Sequence, residues 1–282
     1  MPPRGRWLPD WHMSGPADAA EVTVRLLGRR VASVQRLSGG DLSAVFRVTL
    51  QDGVRLIAKQ AATAVAEAGM LHAIAATGAP APAIRAAEGE WLLMDEAADH
   101  GGLADAWSDL ARILGALHAG SGGRYGWAAD HAFGPVPIEN GWLEDWPAFW
   151  ADRRLRCHLP HLRPELSGRI ERLADRLDAL LPRQPRASLL HGDLWGGNIL
   201  AAGGRIAALI DPACYHGDRE ADVAMLTLFD RPPPAFFDAL SLEPGWRDRQ
   251  PLYRLWPLLV HLRLFGGPYA ASVGAALSAV GF

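Results

Sequence analysis

Two oxygen-bearing side chains, Asp193 and Asn198, lie five residues apart, shortly after the apolar run Ser188-Leu189-Leu190. A carboxylate in such a place can accept or orient the proton of an attacking hydroxyl group. An amide oxygen about one turn later can hold Mg²⁺ against phosphate oxygens. Because the apolar run predicts a buried strand, we expect Asp193 to be held rigidly at a strand end. The pattern predicts phosphoryl transfer to a hydroxyl group, with Asp193 as the catalytic residue and Asn198 as a metal ligand.

The octet His191-Gly192-Asp193-Leu194-Trp195-Gly196-Gly197-Asn198 has the spacing of the protein-kinase catalytic loop, H-R-D-L-x-x-x-N. His-Gly-Asp alone would equally fit a turn whose aspartate caps a helix. A second His-Gly-Asp, at residues 216–218, raises the alternative of a metallophosphoesterase, but we do not find the further histidine ligands at fixed spacing that this class needs. We interpret His191 as structural. Asp222, on a later predicted helix, is expected to brace the loop backbone, and His118 to end a core helix.

A predicted hairpin follows Asn198 and leads to a second acidic residue, Asp211. Residues 199–210 form two apolar runs separated by Gly203-Gly204, and Asp211-Pro212 comes directly after them. A hairpin brings the end of its second strand back beside the start of its first, so Asp211 should lie close to Asn198. Mg²⁺ commonly uses one or two protein oxygens together with phosphate oxygens and water. We therefore predict that Asn198 and Asp211 are the metal ligands.

Lys59 is the single lysine of the chain and ends the predicted strand Leu56-Ile57-Ala58-Lys59. The pattern is similar to the V-A-I-K strand of protein kinases, whose lysine pairs with ATP phosphates. Glu67, on the predicted helix that follows, is the expected ion-pair partner. A solvated lysine on an exposed strand face is the plain alternative. We predict that Lys59 and Glu67 serve nucleotide binding.

Two further segments could contact a nucleotide. Gly39 and Gly40, between the first two predicted strands, could cover phosphates with backbone N–H groups or form a simple hairpin turn. Residues 91–97 have the form of a hinge, and the backbone near Asp95 and Ala97 would be available to adenine. These four residues complete the predicted nucleotide site.

The pattern of elements changes at residue 95. Before it, period-two apolar alternation and glycine turns predict antiparallel strands with a helix at 61–76. After it, residues 119–142 are predicted as a loop, and helical patterns dominate. The predicted helical segments are 103–118, 146–158, 164–181, 218–229, 234–239 and 252–265. We predict an α+β fold of two lobes, with a mostly β N-terminal lobe at 1–95 and a mainly α-helical C-terminal lobe at 96–282.

The composition excludes several classes of function. The 282 residues carry a formal net charge of −3, without the basic excess of a nucleic-acid surface. No apolar run reaches the roughly 18 residues of a membrane span, and no apolar signal segment is present near the first residue. Two cysteines, Cys157 and Cys214, fit a reducing compartment. We expect a cytoplasmic protein without nucleic-acid or membrane partners.

Most of the chain resembles the fructosamine kinase family, also called ketosamine-3-kinases, which are relatives of aminoglycoside phosphotransferases and choline kinases. The resemblance is carried by two strings, H-G-D-L-W-x-G-N at 191–198 and D-P-A-x-Y-x-G-x-R-E-x-D-x-A-M at 211–225. Further matching positions are Gly39-Gly40, Ala58-Lys59, Glu67, 112–118, 125–126, 133–134, 140–142, 145–150, 153–155 and 261–266. The sequence departs from the family at Asp218, where a histidine is common, and between Gly134 and Asn140.

The resemblance implies a bilobal, protein-kinase-like fold and ATP- and Mg²⁺-dependent phosphorylation of the 3-hydroxyl of a ketosamine, a sugar attached to an amine by glycation. The N-terminal lobe would bind ATP, and the C-terminal lobe would carry catalysis and substrate. Such an activity is of the deglycation type, and the ketosamine would be a small molecule or bound to a protein. Trp195, Trp142 and Glu220 are candidates for the substrate wall.

Two other interpretations stay open on the sequence. An acceptor such as an aminoglycoside or a choline-like alcohol would keep the same fold and mechanism. A pseudokinase would require the loss of one of four residues, all of which are present: Lys59, Asp193, Asn198 and Asp211. We expect a monomer rather than an oligomer.

Overall fold

The computed structural model describes residues 15–37 and 43–282, so the predictions for Gly39 and Gly40 lie outside the described residues. Contacts between residues separate this part of the chain into two compact units. The first contains the described residues up to Val65 together with Ile84–Glu96, and the second contains Ala66–Ala83 and Ala97–Phe282. The lobe boundary predicted at residue 95 stays a prediction.

The first unit is built on a five-stranded antiparallel sheet with the strand order β1-β2-β3-β5-β4. Its strands are β1 (Val31–Arg36), β2 (Ala44–Leu50), β3 (Arg55–Gln60), β4 (Ile84–Glu88) and β5 (Trp91–Asp95). The helix α1 (Pro16–Leu27) precedes β1, and α2 (Ala64–Ala76) follows β3 along the chain but belongs to the second unit from Ala66 onward. The predicted strands are confirmed, and the helix predicted at 61–76 begins three residues later than expected.

Alternating burial along β2 explains why this sheet forms. Phe46 and Val48 are fully buried, whereas the residues that alternate with them along β2 are half-buried, as expected of a strand with one face on a core. The turn into β3 has Gly53 at φ +86°, a conformation that favours glycine. These features fix the register of β3, in which Lys59 lies opposite Leu92 of β5. Lys59 is only 6% exposed.

The second unit is mainly helical. Its α-helices are α3 (Trp107–Ala119), α4 (Trp146–Trp150), α5 (Pro164–Ala174), α6 (Leu177–Leu180), α7 (Glu220–Phe229), α8 (Pro234–Leu240), α9 (Trp246–Phe265) and α10 (Pro268–Ala279). Its strands are β6 (His131–Phe133), β7 (Val136–Ile138), β8 (Ser188–Leu190), β9 (Ile199–Ala202), β10 (Arg205–Leu209) and β11 (Tyr215–Gly217). They form the antiparallel pairs β6–β7, β8–β11 and β9–β10. Among the described residues, no helix combines the length and apolarity that a bilayer crossing requires.

The short strand β8 is held between two hydrophobic clusters of the second unit. Leu190 packs in one cluster with Tyr215, and Leu189 packs in the other with Leu114. Successive residues of a strand point to opposite faces, so both faces of β8 are covered. The chain that leaves β8 therefore starts from a firmly held position.

The second unit departs from the predicted elements in several places. Residues 119–142, predicted as a loop, contain the β6–β7 hairpin, whose turn has Gly134 at φ +54°. The helix predicted at 146–158 is α-helical only in α4. It continues as a π-helical turn at Ala151–Leu155 and a 3-10 turn at Arg156–His161. The helix α9 begins six residues before its predicted start, and α10 has no counterpart among the predicted elements.

Candidate active site

The candidate catalytic loop begins where β8 ends. Gly192 has φ +80°, and a Cβ atom there would overlap the carbonyl oxygen of Ala213. The N–H of Ala213 donates to the carbonyl oxygen of His191 at 2.9 Å, so two chain segments run against each other at this point. Glycine satisfies both the left-handed conformation and the close approach. Gly192 thereby fixes the direction in which the chain continues to Asp193.

Asp222, on α7, holds the backbone of this loop. Its Oδ2 and Oδ1 accept the N–H groups of His191 and Gly192, each at 2.9 Å. Oδ2 also lies 3.0 Å from Nε2 of His118 on α3, and Asp222 is 1% exposed. Burial alone would raise the pKa of Asp222, but the hydrogen bond and charge of His118 help to outweigh burial and lower it. The prediction that Asp222 braces the loop is confirmed, and His118 proves to be its partner.

His191 links the loop to the end of β10. Its Nε2 donates to the carbonyl oxygen of Ile210 at 3.0 Å, and its Nδ1 accepts the N–H of Asp193 at 3.3 Å. Burial lowers the pKa of His191. A carbonyl can only accept and an N–H can only donate, so these partners define a neutral ring with its proton on Nε2. The structural interpretation of His191 is confirmed.

Asn198 and Asp193 are in direct contact. The Nδ2 group of Asn198 donates to Oδ2 of Asp193 at 2.9 Å and to its carbonyl oxygen at 2.8 Å. The amide nitrogen is therefore committed to Asp193, which leaves Oδ1 as the amide atom suited to a cation. Asp193 and Asn198, which lie five positions apart in the sequence, are thus joined by two hydrogen bonds.

Asp211 is brought to the same loop by the β9–β10 hairpin. The N–H of Ile210 donates to the carbonyl oxygen of Asn198 at 3.0 Å, so Asp211 directly follows a backbone contact with Asn198. Asp211 has φ +52°, and among the described non-glycine residues only Ser241 shares a positive φ. Such backbone strain persists where the surroundings impose it and is concentrated at functional sites. The chain path agrees with the hairpin geometry expected from the sequence.

The second half of the octet surrounds an exposed tryptophan. The indole of Trp195 covers Gly197, where a Cβ atom would overlap the ring. The N–H of Gly196 donates to Oδ2 of Asp230 at 2.8 Å. Trp195 is 39% exposed, and its ring centroid lies 5.9 Å from that of Phe229. Gly197 therefore makes room for the indole of Trp195, and Gly196 makes room for the carboxylate of Asp230.

A buried arginine holds the segment that carries Trp142. Arg154 donates from Nη1 to the carbonyl oxygen of Glu139 and from Nη2 to Oδ1 of Asn140, both at 2.7 Å. Its guanidinium lies 4.2–4.7 Å from the ring centroids of Phe149, Tyr215 and Trp256. Within the described chain it forms no ion pair with a carboxylate, and burial lowers its pKa. Aromatic faces and carbonyl-type oxygens, rather than an acid, hold this charge.

Trp142 itself belongs to an aromatic stack. The ring centroid of His216 lies 5.8 Å from that of Trp142 and 5.6 Å from that of Trp127. Arg124 lies over Trp142 at 5.3 Å. Residues Gly126 and His216 exchange two backbone hydrogen bonds, at 3.0 and 2.8 Å. This stack is anchored to β11, the strand paired with β8.

Glu220 lies away from any open surface. It is 1% exposed, and Arg249 donates to both of its carboxylate oxygens, at 2.8 and 2.6 Å. The neighbouring Asp218 is also buried and accepts the hydroxyl of Tyr253 at 2.7 Å. Burial raises the pKa of both carboxyls. The carboxylate of Glu220 is thus occupied by Arg249.

The predicted nucleotide residues occupy separate elements. Lys59 is buried on β3, and Glu67 is buried on α2 at 2% exposure. Asp95 ends β5, and its carboxylate receives two hydrogen bonds from Arg85, each 2.6 Å long. Ala97 follows shortly after β5 and is half-buried.

A sequence model of the family described as fructosamine kinase matches residues 19–280 of the chain. The chain belongs to the fructosamine kinase family. A Synechocystis protein named a probable ketoamine kinase is 38% identical over 178 residues, which are 58% of this chain and 59% of that protein. The chain thus spans less than two thirds of that relative.

Solved structures agree with this family assignment. A crystal structure of a Thermobifida fusca protein described as a candidate fructosamine-3-kinase has a TM-score of 0.86 at 32% identity. The match covers 94% of this chain and 99% of that one. An aminoglycoside phosphotransferase in complex with AMP-PNP and hygromycin B has a TM-score of 0.64 at 20% identity, covering 93% and 97% of the two chains. The predicted kinase-like α+β fold is confirmed.

Sequence reasoning missed three residues whose contacts hold the segments of this candidate site. His118 and Arg154 were assigned only to helices or family motifs, and Asp230 was not singled out. Their partners lie 104, 14 and 34 residues away along the chain. A partial signal existed for Arg154, because it follows the aromatic run Trp146–Trp150, which supplies Phe149 as one of the three rings against its guanidinium.

We expect Gly192→Ala to lower the free energy of unfolding by about 2 kcal/mol. We also expect kcat to fall, because the chain direction toward Asp193 would change. A side chain in left-handed backbone costs roughly 1–2 kcal/mol, and here it would also displace Ala213. Urea unfolding and steady-state kinetics measure the two effects. Gly123→Ala is the matched control, since Gly123 is exposed and has open space around it. Equal behaviour of the two variants would contradict the role given to Gly192.

We expect Arg154→Met to raise KM for the acceptor at least about fivefold while KM for ATP changes little. Methionine fills the aromatic cage but leaves Glu139 and Asn140 without their donors, at a cost of about 1–3 kcal/mol each. The comparison of the two KM values separates loss of the loop from a general loss of folded protein. Arg172→Met, at an exposed position of α5, is the control. A parallel rise of both KM values would contradict a local role of Arg154.

Proposed function

We propose that this chain transfers the γ-phosphoryl group of ATP to the 3-hydroxyl group of a ketosamine, a deglycation-type activity. The observation that carries the proposal is the contact of Asn198 with Asp193, in a loop whose backbone is held by Asp222. A carboxylate in one defined orientation beside an amide oxygen suits phosphoryl transfer to an alcohol. Membership of the fructosamine kinase family supports a ketosamine as the acceptor.

In this proposal Asp193 is the catalytic residue. Its carboxylate accepts a hydrogen bond from the attacking hydroxyl and orients that oxygen in line with the γ-phosphorus. The hydrogen bond from Asn198 to Oδ2 keeps the carboxylate from rotating. Phosphoryl transfer relies mainly on positioning and charge stabilisation, so a fixed carboxylate is of more use here than a strongly basic one.

The proposed metal ligands are Asn198 and Asp211. Their donor set, an amide oxygen and a carboxylate, fits Mg²⁺, which binds through few protein oxygens and keeps phosphate oxygens and water as its other ligands. The amide orientation of Asn198, with Nδ2 turned to Asp193, supports this use of Oδ1. When bound, Mg²⁺ would neutralise charge on the phosphates.

Nucleotide binding is proposed for the residues of the predicted nucleotide site. Lys59 would contact the phosphates with Glu67 as its ion-pair partner, and the low exposure of Lys59 argues against a solvated surface lysine. The backbone near Asp95 and Ala97 would receive adenine. Gly39 and Gly40 would cover the phosphates, which remains a proposal from the sequence alone.

The substrate wall is proposed to include Trp195 and Trp142. Trp195 presents an exposed indole two residues after Asp193, and such a face suits the apolar side of a sugar or its alkyl amine. Trp142 is held by Arg154 through the segment 139–142 and by its stack with His216. We leave Glu220 out of the wall because Arg249 occupies its carboxylate.

An acceptor panel tests this function. Wild-type protein is incubated with Mg·ATP and fructose, ribulose or erythrulose adducts of lysine, with aminoglycosides and choline as competing acceptor classes. We expect ATP-dependent turnover of a ketosamine and none of the other acceptors. If only an aminoglycoside or choline is turned over, the protein is a kinase whose acceptor is not a ketosamine. Failure to bind Mg·ATP would support the pseudokinase interpretation instead.

A further inference from the structure

A cavity of about 350 Å³ lies beside the C-terminal end of α7, outside the residues assigned above to catalysis, metal or nucleotide. Two arginines, Arg231 and Arg254, line it. The other lining residues are Thr227, Leu228, Asp230, Pro232 and Phe237. The cavity therefore combines two guanidinium groups with one carboxylate, a hydroxyl group and apolar groups.

The two guanidinium groups are only partly satisfied by the protein. Arg254 donates to Oγ1 of Thr227 at 2.9 Å, and its buried Nε has no hydrogen-bond partner. Arg231 donates to the carbonyl oxygen of Asp230 at 2.9 Å. In the part of the chain that the structure describes, neither arginine has a carboxylate within ion-pair distance. Burial and, to a lesser extent, the charge of Arg231 lower the pKa of Arg254.

Two neighbouring groups could in principle neutralise the pair. The end of α7 contributes roughly half a negative charge, which is less than two guanidinium charges. Asp230 lines the cavity, but its Oδ2 accepts the N–H of Gly196, and no ion pair joins it to either arginine. Because the planar guanidinium fork matches carboxylate and phosphate oxygens, an oxyanion is the ligand that this cavity suits.

The cavity also borders the catalytic loop. Asp230, one of its lining residues, is hydrogen-bonded to Gly196 of the octet. Gly196 lies three positions after Asp193 in the chain, which limits the distance between their Cα atoms to about 11 Å. An elongated substrate whose hydroxyl lies at Asp193 could therefore extend along the octet toward the cavity.

We propose that Arg231 and Arg254 form a binding site for a small oxyanion, a carboxylate or phosphate group. The source of the group is either the substrate, as the α-carboxylate of an amino acid that bears the sugar, or free inorganic phosphate. The first source rests on the proposed function, whereas the second does not. The site would favour ketosamines of free amino acids over those of neutral amines.

The experiment has two arms that use wild-type protein and the variants Arg231→Gln and Arg254→Gln. In the first, Tm is measured in potassium phosphate and in potassium chloride of equal ionic strength. In the second, KM is measured for the fructose adduct of lysine with a free α-carboxylate and for the same adduct as its α-carboxamide. Arg247→Gln is the matched control, since Arg247 is exposed on α9 and stacks on Trp246.

If the bound group is the carboxylate of the substrate, each cavity variant raises KM for the free-acid adduct about tenfold and leaves KM for the carboxamide unchanged. If the bound group is free phosphate, Tm is higher in potassium phosphate than in potassium chloride for the wild type and for Arg247→Gln. Both cavity variants lose this increase. Identical responses of wild type and variants in both arms would overturn the site. The first arm needs no turnover, so it stays readable if no ketosamine is phosphorylated. Because Arg231 is exposed, Arg231→Gln tests the site even if Arg254→Gln does not fold.

Discussion

Asp193→Asn is expected to lower kcat for a ketosamine acceptor by about 10²- to 10⁴-fold. The amide has nearly the same shape and can still contact Asn198, but it carries no charge with which to orient the proton of the attacking hydroxyl. Stability and the Kd for Mg·ATP should therefore change little. Stopped-time assays of kcat, urea unfolding and nucleotide titration measure the three quantities.

The control for this variant is Asp178→Asn, at an exposed position of α6. It removes the same charge without touching the loop, and its kcat should equal that of the wild type. A kcat within about threefold of wild type in Asp193→Asn would mean that another group handles the hydroxyl proton. The proposed role of Asp193 would then be wrong, although the fold and family would be unaffected.

Asp222→Asn is expected to cost about 3 kcal/mol of unfolding free energy and to lower kcat by at least about tenfold. The carboxylate accepts two loop N–H groups and contacts His118, and a buried group that loses such a partner is costly. Asparagine offers a single oxygen, so one N–H of His191 or Gly192 would face an amide NH₂ group. The loop would shift, and displacement of reacting groups by about 1 Å can cost 10²-fold in rate.

Urea unfolding and kcat are measured together for this variant, with Asp238→Asn on the exposed side of α8 as the control. His118→Gln, which keeps a hydrogen-bond donor but removes the ring, should show a smaller loss in the same direction. Wild-type kcat in Asp222→Asn, whatever its stability, would show that the loop geometry does not depend on this carboxylate.

The local parts of the site could be predicted from the sequence because their geometry is local. The octet and the hairpin after it occupy one continuous segment, so spacing alone placed Asp211 directly after the strand that returns to Asn198. The same holds for the β2–β3 and β4–β5 hairpins of the first unit, which are joined by short turns such as Asp52-Gly53. Period-two alternation and turn chemistry are sufficient for such elements.

The parts that could not be predicted depend on contacts between distant segments. His118 looked like the end of a core helix, and only the packing of α3 reveals that it meets Asp222. Glu220 is a candidate substrate contact on the sequence, and only the folded chain shows that Arg249, 29 residues later, donates to its carboxylate. Spacing along the chain carries no information about such pairs.

Some elements were missed because their sequence signals are weak. The strands β6 and β7 have three residues each, and Pro135 and Pro137 in this hairpin are typical of a loop. The helix α10 is rich in alanine and has no clear apolar stripe. The π-helical turn after α4 cannot be distinguished by pattern from a continued helix, yet it contains the inward-facing Arg154.

The most direct test of the central claim is one reaction of purified wild-type protein with Mg·ATP and the fructose adduct of lysine, followed by mass spectrometry and phosphorus NMR. The proposed function predicts a phosphate-sized mass gain on the adduct, with phosphorus coupled to the proton on sugar carbon 3, and no gain with Asp193→Asn. A folded wild-type protein that binds Mg·ATP but leaves every ketosamine unmodified would contradict it.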